Sequence, residues 1–334
     1  MQYRSMGNSD FNVSAIGFGC WEMGGTYGAF DDSEVIAAIH RAIDLGVTLF
    51  DTALIYGFTF NLDQPSGAGN SEVLLARALG QRRKDVLVVT KGGLPTRTGQ
   101  PTGRDSRYQS IIDDCDTSLR NLQTDYIDLY LIHWPDVKVS IEEPMRALND
   151  LVAAGKVRQI GVSNFSAAQL REARSYAPIC TNQVGYNLFD RRWEREMFPT
   201  AEELGIGIMA YGPLAHGLLS GTFTPQTTFV ESDWRSRGVI FGQALFKDEN
   251  FGRNLAVVER LKAIAARKGV SLARLALAWV LANPLVSVAL TGARNTAEIE
   301  DNVAALDIAL TDAERAEIDV IMRDAAGQVD AVPQ

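Results

Sequence analysis

A chain of 334 residues with 32 Lys and Arg against 41 Asp and Glu carries a formal net charge of −9, which argues against a nucleic-acid or anionic-membrane partner, since both want a basic face. With 46% hydrophobic and 22% charged residues it has the balance of a soluble globular protein, long enough to build a core without disulfides. Its three cysteines, Cys20, Cys115 and Cys180, form no CxxC pair, which suits a reducing compartment, and a cytoplasmic location is expected.

In chain order, residues 2–7 and 11–16 flank the turn Asn8-Ser9-Asp10 and predict a β-hairpin. Eight short apolar runs follow as predicted strands: 15–19, 48–52, 86–90, 127–133, 159–163, 181–185, 207–211 and 286–290. Most are continuous rather than alternating, the pattern of strands covered on both faces. Between them lie helical patterns. Val35, Ile36, Ile39, Ala42 and Ile43 share one helix face, as do Ile111, Ile112, Cys115 and Leu119. Ser33, Ser71 and Ser271 read as helix starts, and Gly46, Gly80, Gly155 and Gly205 as stops. The uncharged run 275–293 approaches the length of a membrane span, but Asn283-Pro284 breaks it into a buried helix and a buried strand. Repeated βα units without a linker predict one domain over 1–334, an α/β (β/α)₈ TIM barrel with an N-terminal hairpin. An open doubly wound sheet is the alternative, because alternation alone does not tell it from a closed one. The long segments 57–70 and 212–252 are expected to be functional loops at the carboxyl-terminal face of the barrel.

Polar residues gather at the carboxyl ends of the predicted strands: Asp51, Lys91, His133, Ser163-Asn164, Gln183, Tyr211 and Thr291-Gly292. In a barrel these ends converge on one face, where active sites of this fold are built. The three histidines form no HxH or HExxH pair, which argues against a metal centre. No GxGxxG follows a strand and no GxSxG is present, so neither a Rossmann loop nor a serine hydrolase is indicated.

Several segments in order resemble the aldo-keto reductase family over essentially the whole chain. They are Phe50-Asp51-Thr52-Ala53 with Tyr56-Gly57, Val89-Thr90-Lys91, Leu129 to Pro135, Gly155 to Phe165, Asn182-Gln183-Val184 with Tyr186-Asn187, Ala210 to Leu214, and Gly292-Ala293-Arg294. The resemblance implies an NAD(P)H-dependent oxidoreductase that reduces an aldehyde or ketone, or runs the reverse. Its catalytic set would be Asp51, Tyr56, Lys91 and His133. Tyr56 would donate the proton, which a free phenol with a pKa of about 10 does poorly; a buried Lys91 ammonium would favour the phenolate. Asp51 would keep Lys91 charged, and His133 would orient the carbonyl oxygen. The resemblance further implies Ser163, Asn164 and Gln183 at the nicotinamide carboxamide and Tyr211 against its ring. Backbone N–H groups of Gly212, Leu214, Gly217 and Leu218 would meet the pyrophosphate, beside Gly292. Arg294 would take the adenosine 2′-phosphate, with Glu298 and Asn302 near the adenosine. NADPH is the expected cofactor and NADH the alternative. Trp21, Trp134 and Trp234 are expected to line the pocket of a small carbonyl or alcohol substrate.

The chain departs from the family pattern in places. Eleven residues, 58–68, stand where one is usual between Tyr56-Gly57 and Gly69-Asn70-Ser71-Glu72. Gly212 replaces a serine, Thr222 a basic residue, and Glu298 a glutamine, where an acid opposes a 2′-phosphate. Two other readings remain open at this stage: a cofactor-binding regulatory subunit, and a Schiff-base lyase using Lys91.

Overall fold

Continuous Val, Ile and Leu runs suit strands buried on both faces, and each such run is a parallel strand. The computed structural model describes residues 1–24, 30–57, 67–94, 103–231 and 233–331. The hairpin pairs β1 (Tyr3–Ser5) with β2 (Asn12–Ser14), antiparallel. Eight parallel strands then close a barrel: β3 (Ile16–Gly19), β4 (Leu49–Asp51), β5 (Leu87–Gly92), β6 (Ile127–Ile132), β7 (Val157–Ser163), β8 (Thr181–Gly185), β9 (Gly207–Tyr211) and β10 (Val286–Thr291). Pairing of β10 with both β9 and β3 completes the ring, which decides for the (β/α)₈ barrel over the open sheet.

Helices intervene between successive strands, from Asp32–Asp44 to Leu272–Leu281, and Thr296–Ala304 and Asp312–Met322 follow β10. Their apolar faces pack on the outside of the strands in one large core. A smaller core fills the barrel itself: Leu49, Val89, Leu129, Leu131, Met209, Val288 and Leu290, with Met6, Phe11 and Val13 of the hairpin segment beside them. The hairpin therefore plugs the amino-terminal end. Side chains of a strand alternate between its faces. Two residues beyond Leu49, Val89, Leu131 and Met209 on the inward face come Asp51, Lys91, His133 and Tyr211, all at the open end.

The structure moves some boundaries. β5 extends to Gly92, so Lys91 lies inside a strand, whereas His133 sits one residue past β6, its N–H donating to the Gly92 carbonyl at 2.9 Å. Ser271 caps its helix as expected, but the first helix is capped by Asp31, not Ser33. Ser71 lies inside the helix Asn70–Leu79 and turns inward, donating to the Cys20 carbonyl and sharing a hydrogen bond with Thr52 Oγ1. The segment 212–252 is structured for part of its length, with turns at Ala215–Ser220 and Trp234–Arg237, and its end belongs to the helix Asp248–Arg267. The run 275–293 supplies the helix Leu272–Leu281 and then β10, and among the described residues no helix is long and apolar enough to cross a membrane. Most of the insertion at 58–68 lies outside the described residues.

Candidate active site at the carboxyl end of the barrel

Lys91 is 1% exposed, and its ammonium is held by three acceptors: Asp51 Oδ1 at 2.7 Å, the Thr52 carbonyl at 2.7 Å and Tyr56 Oη at 3.1 Å. An ammonium has three N–H donors, so this cage satisfies it. Burial pulls Lys91 below the ordinary lysine range while the facing carboxylate holds it up; burial pushes Asp51 up while Lys91 pulls it down. A buried pair at this distance with every ammonium proton used is an ion pair. The second Asp51 oxygen accepts from Gln183 Nε2 at 2.7 Å.

His133 is 7% exposed, and its ring meets that of Tyr56 edge-on with centroids 5.9 Å apart. Burial, with Lys91 nearby, drives its pKa well below the usual histidine value, so the ring is neutral at pH 7. Among the described residues no partner reaches its buried Nδ1. A neutral imidazole carries one N–H, and placing it on Nε2 makes that nitrogen a donor.

Behind this group stands a second tier. Asn164 adopts a left-handed φ of 63°, which asparagine tolerates, and donates to the His133 carbonyl at 3.2 Å and to Ser163 Oγ at 3.0 Å. Its Oδ1 accepts from Tyr211 Oη at 3.0 Å, and Ser163 donates to the Gln183 carbonyl. Glu72, fully buried on the helix Asn70–Leu79, accepts from Thr90 Oγ1 and Asn121 Nδ2 and so braces β5 from the helix side.

An aromatic wall surrounds the opening. Trp21 packs edge-on to Tyr56 at 4.8 Å and tilts against Trp234 at 5.6 Å. Phe241, unmarked in the sequence, joins Tyr211, Trp134, Trp234 and His216 at centroid distances between 5.5 and 5.9 Å. The structure thus brings together all three tryptophans expected at the pocket. Burial and Arg235 push His216 down to about 3.

The groups expected along a dinucleotide lie on the loops after β9 and β10. Gly212 takes a positive φ of 60°, and Leu214 precedes the turn that holds Gly217 and a fully buried Leu218. The Gly217 N–H is committed to the Leu214 carbonyl within that turn, at 3.1 Å. Asn302 Nδ2 donates to the Gly292 carbonyl at 3.1 Å. Arg294 and Glu298 meet: the Arg294 backbone N–H donates to Glu298 Oε2 at 2.8 Å, with the guanidinium 3.5 Å from Oε1. Two more features, besides Phe241, had no sequence signal. Gln183 reaches Asp51 across the barrel, and Glu22 lays its carboxyl over Gly292. Among the described residues no group of His, Cys, Asp and Glu is arranged to hold a metal.

A (β/α)₈ barrel with a caged lysine, an aspartate, a tyrosine and a neutral histidine at its mouth has the architecture of a carbonyl-reducing oxidoreductase. The chain belongs to the aldo/keto reductase family, whose model matches residues 15–323. It is 38% identical to aldo-keto reductase YhdN of Bacillus subtilis over 304 residues, 90% of this chain and 87% of the relative. It is 33% identical to the NADH-specific methylglyoxal reductase of Escherichia coli over 326 residues, 92% of this chain and 94% of that protein. Among solved structures, the glycerol dehydrogenase AKR11B4 of Gluconobacter oxydans superposes with a TM-score of 0.84 at 35% identity, covering 98% of this chain and 96% of that one. The family comprises oxidoreductases that act on small carbonyl compounds with NAD(P)H.

Proposed function

We propose that this protein reduces an aldehyde or ketone to an alcohol, or catalyses the reverse, with NADPH preferred modestly and NADH accepted. The observation that carries this reading is Tyr56 Oη lying 3.1 Å from the Lys91 ammonium, which is itself locked to Asp51. Hydride arriving at a carbonyl carbon leaves charge on its oxygen, and that oxygen needs a proton. Tyr56 gives it, and the phenolate that remains is stabilised by the neighbouring ammonium. His133, neutral and donating through Nε2, orients the same oxygen and stabilises its developing charge.

The residues present fit a nicotinamide dinucleotide. Asn164, Ser163 and Gln183 form a polar rank at the barrel mouth that offers both donors and acceptors, beside the partly exposed ring of Tyr211. Gly212, Leu214, Leu218, Gly292, Arg294, Glu298 and Asn302 would hold its remaining length, with Gly217, its own N–H used within the turn, shaping the backbone between them, and the cofactor would supply the hydride. Arg294 favours a 2′-phosphate, but Glu298 already occupies both the Arg294 N–H and its guanidinium, which limits the preference. Trp21, Trp134, Trp234 and Phe241 form an apolar vestibule, so an apolar or alicyclic carbonyl suits it better than a charged one. The lyase reading requires a nucleophilic, neutral lysine with an accessible Nζ; Lys91 donates to three acceptors and is sealed from solvent, which disfavours it.

Titration of the protein with NADPH and NADH by fluorescence, followed by assay against a panel of aldehydes, ketones and alcohols, tests the proposal. Binding with turnover is expected. Failure to bind either nucleotide would remove the oxidoreductase reading.

A further inference from the structure

Glu22 follows β3, in the short turn Trp21–Gly24, where a carboxylate has no place in the chemistry described above. Its side chain crosses to the neighbouring strand and lies on Gly292, just past β10. A Cβ built on Gly292 would stand 2.5 Å from the Glu22 carboxyl carbon and 2.6 Å from Oε1. A side chain at 292 would displace the carboxyl from this position. The carboxyl is therefore set into the seam between β3 and β10, beside the residues proposed to carry the dinucleotide. Among the described residues no donor reaches its oxygens, although the site is partly buried.

The charged groups around it come from two other elements. After β10 stand Arg294, which attracts the carboxylate, and Glu298, which repels it; from the segment after β9 comes Arg235, a second attraction. Both arginines have other carboxylates: Arg294 meets Glu298, and Arg235 is paired with Asp233 at 2.6 Å. Their attraction is divided between Glu22 and those partners, and burial outweighs it at Glu22.

We propose that Glu22 is a cofactor-binding residue that engages the dinucleotide as the neutral acid, its carboxyl O–H donating to a cofactor phosphate oxygen, so that cofactor binding takes up a proton. The inference rests on the oxidoreductase reading of the same cleft. A diphosphate and a carboxylate in one seam repel each other unless one is neutralised. Diphosphate stays ionised at neutral pH, so the carboxyl yields. It is prepared to do so: burial pushes it up to about 6 before any ligand arrives. A proton on either oxygen converts an acceptor without a donor into a donor aimed into the seam.

Calorimetric titration with NADPH and with NADH at pH 7.5, in two buffers of different ionisation enthalpy, counts the protons taken up on binding. The wild type is expected to take up a substantial fraction of one proton more than Glu22→Gln, for either nucleotide. Any titration of the 2′-phosphate itself is common to both proteins. The wild-type Kd is expected to rise by about fivefold or more from pH 6 to pH 8, and by less in Glu22→Gln. Glu22→Ala separates donation from mere removal of charge: at pH 6 it should bind several-fold more weakly than Glu22→Gln, which retains an N–H donor. Equal proton uptake by wild type and Glu22→Gln overturns the inference, as do equal affinities of the Gln and Ala variants at pH 6. Binding of neither nucleotide by the wild type overturns the oxidoreductase reading itself, and this inference with it.

Discussion

Asp51 and Gln183 stand on β4 and β8, four places apart in the eight-strand ring, and their side chains meet across its mouth at 2.7 Å. With Lys91 on one Asp51 oxygen and Gln183 on the other, the carboxylate is tied to both sides of the barrel. Gln183→Leu leaves the second oxygen buried without its donor. We expect a loss of about 1–3 kcal/mol in unfolding free energy, read from the denaturant midpoint. An unchanged midpoint would show that solvent replaces the amide without cost.

Tyr56→Phe keeps the ring that packs against Trp21 and removes only the hydroxyl near Lys91. Nucleotide affinity should be retained, while carbonyl reduction falls by roughly 10² or more, the size of a general-acid contribution. Near-normal turnover by this variant would transfer the proton to another donor.

The buried His216 is pushed down to about 3, whereas an unfolded histidine titrates near 6.5. Between these values the unfolded chain binds a proton that the folded chain does not. Stability from this residue is therefore fully present above pH 6.5 and declines as pH falls towards 3. His216 has a positive φ of 58°, which asparagine accepts, so His216→Asn is the suitable comparison. Measured by urea unfolding at pH 7, 6 and 5, the wild type should lose about 1.4 kcal/mol per pH unit relative to the variant below pH 6.5. Parallel curves for the two proteins would mean that His216 protonates in the folded state.

Arg294 and Glu298 form an exposed pair, side chains 53% and 38% accessible. Glu298→Gln releases the guanidinium and should widen the preference for NADPH over NADH in Kd. Arg294→Ala should erase it, through NADPH affinity rather than NADH affinity. A preference untouched by Arg294→Ala would place the 2′-phosphate elsewhere.

The parts of this site that the apolar patterning alone made legible are those at strands, while Tyr56 and the tryptophans, outside the strands, were named through the family resemblance. Asp51, Lys91, Gln183 and Tyr211 end or interrupt apolar runs, and the polarity of those ends follows from the barrel itself. Lys91 shows how little the exact boundary matters, because it lies within β5 and still faces the mouth. Contacts between distant elements have no such spacing. The reach of Gln183 to Asp51 spans 132 positions in sequence, and Phe241 enters the vestibule from a segment without periodicity. Ser71 and Glu72 resembled an ordinary helix start. Their side chains instead turn into the barrel wall, where Ser71 bonds Cys20 and Thr52 and Glu72 bonds Thr90. Glu22 carried no signal of its position, because what sets its carboxyl over Gly292 is a contact between two strand ends far apart in sequence.

The alternation that places Leu49 below Asp51, Val89 below Lys91 and Leu131 below His133 makes each polar group the next inward rung of a hydrophobic ladder. A slip of one residue in β5 would turn Lys91 to the helices and bring Val88 or Thr90 inward, spoiling the packing and the chemistry in the same move. Asp51, Lys91 and His133 thus need no scaffold separate from the strands, whereas Tyr56, on the turn after β4, is placed by its contacts with Lys91 and Trp21. The alignment of those three groups is proofread by the apolar interior beneath them, so a chain that has found its packing has also set them side by side.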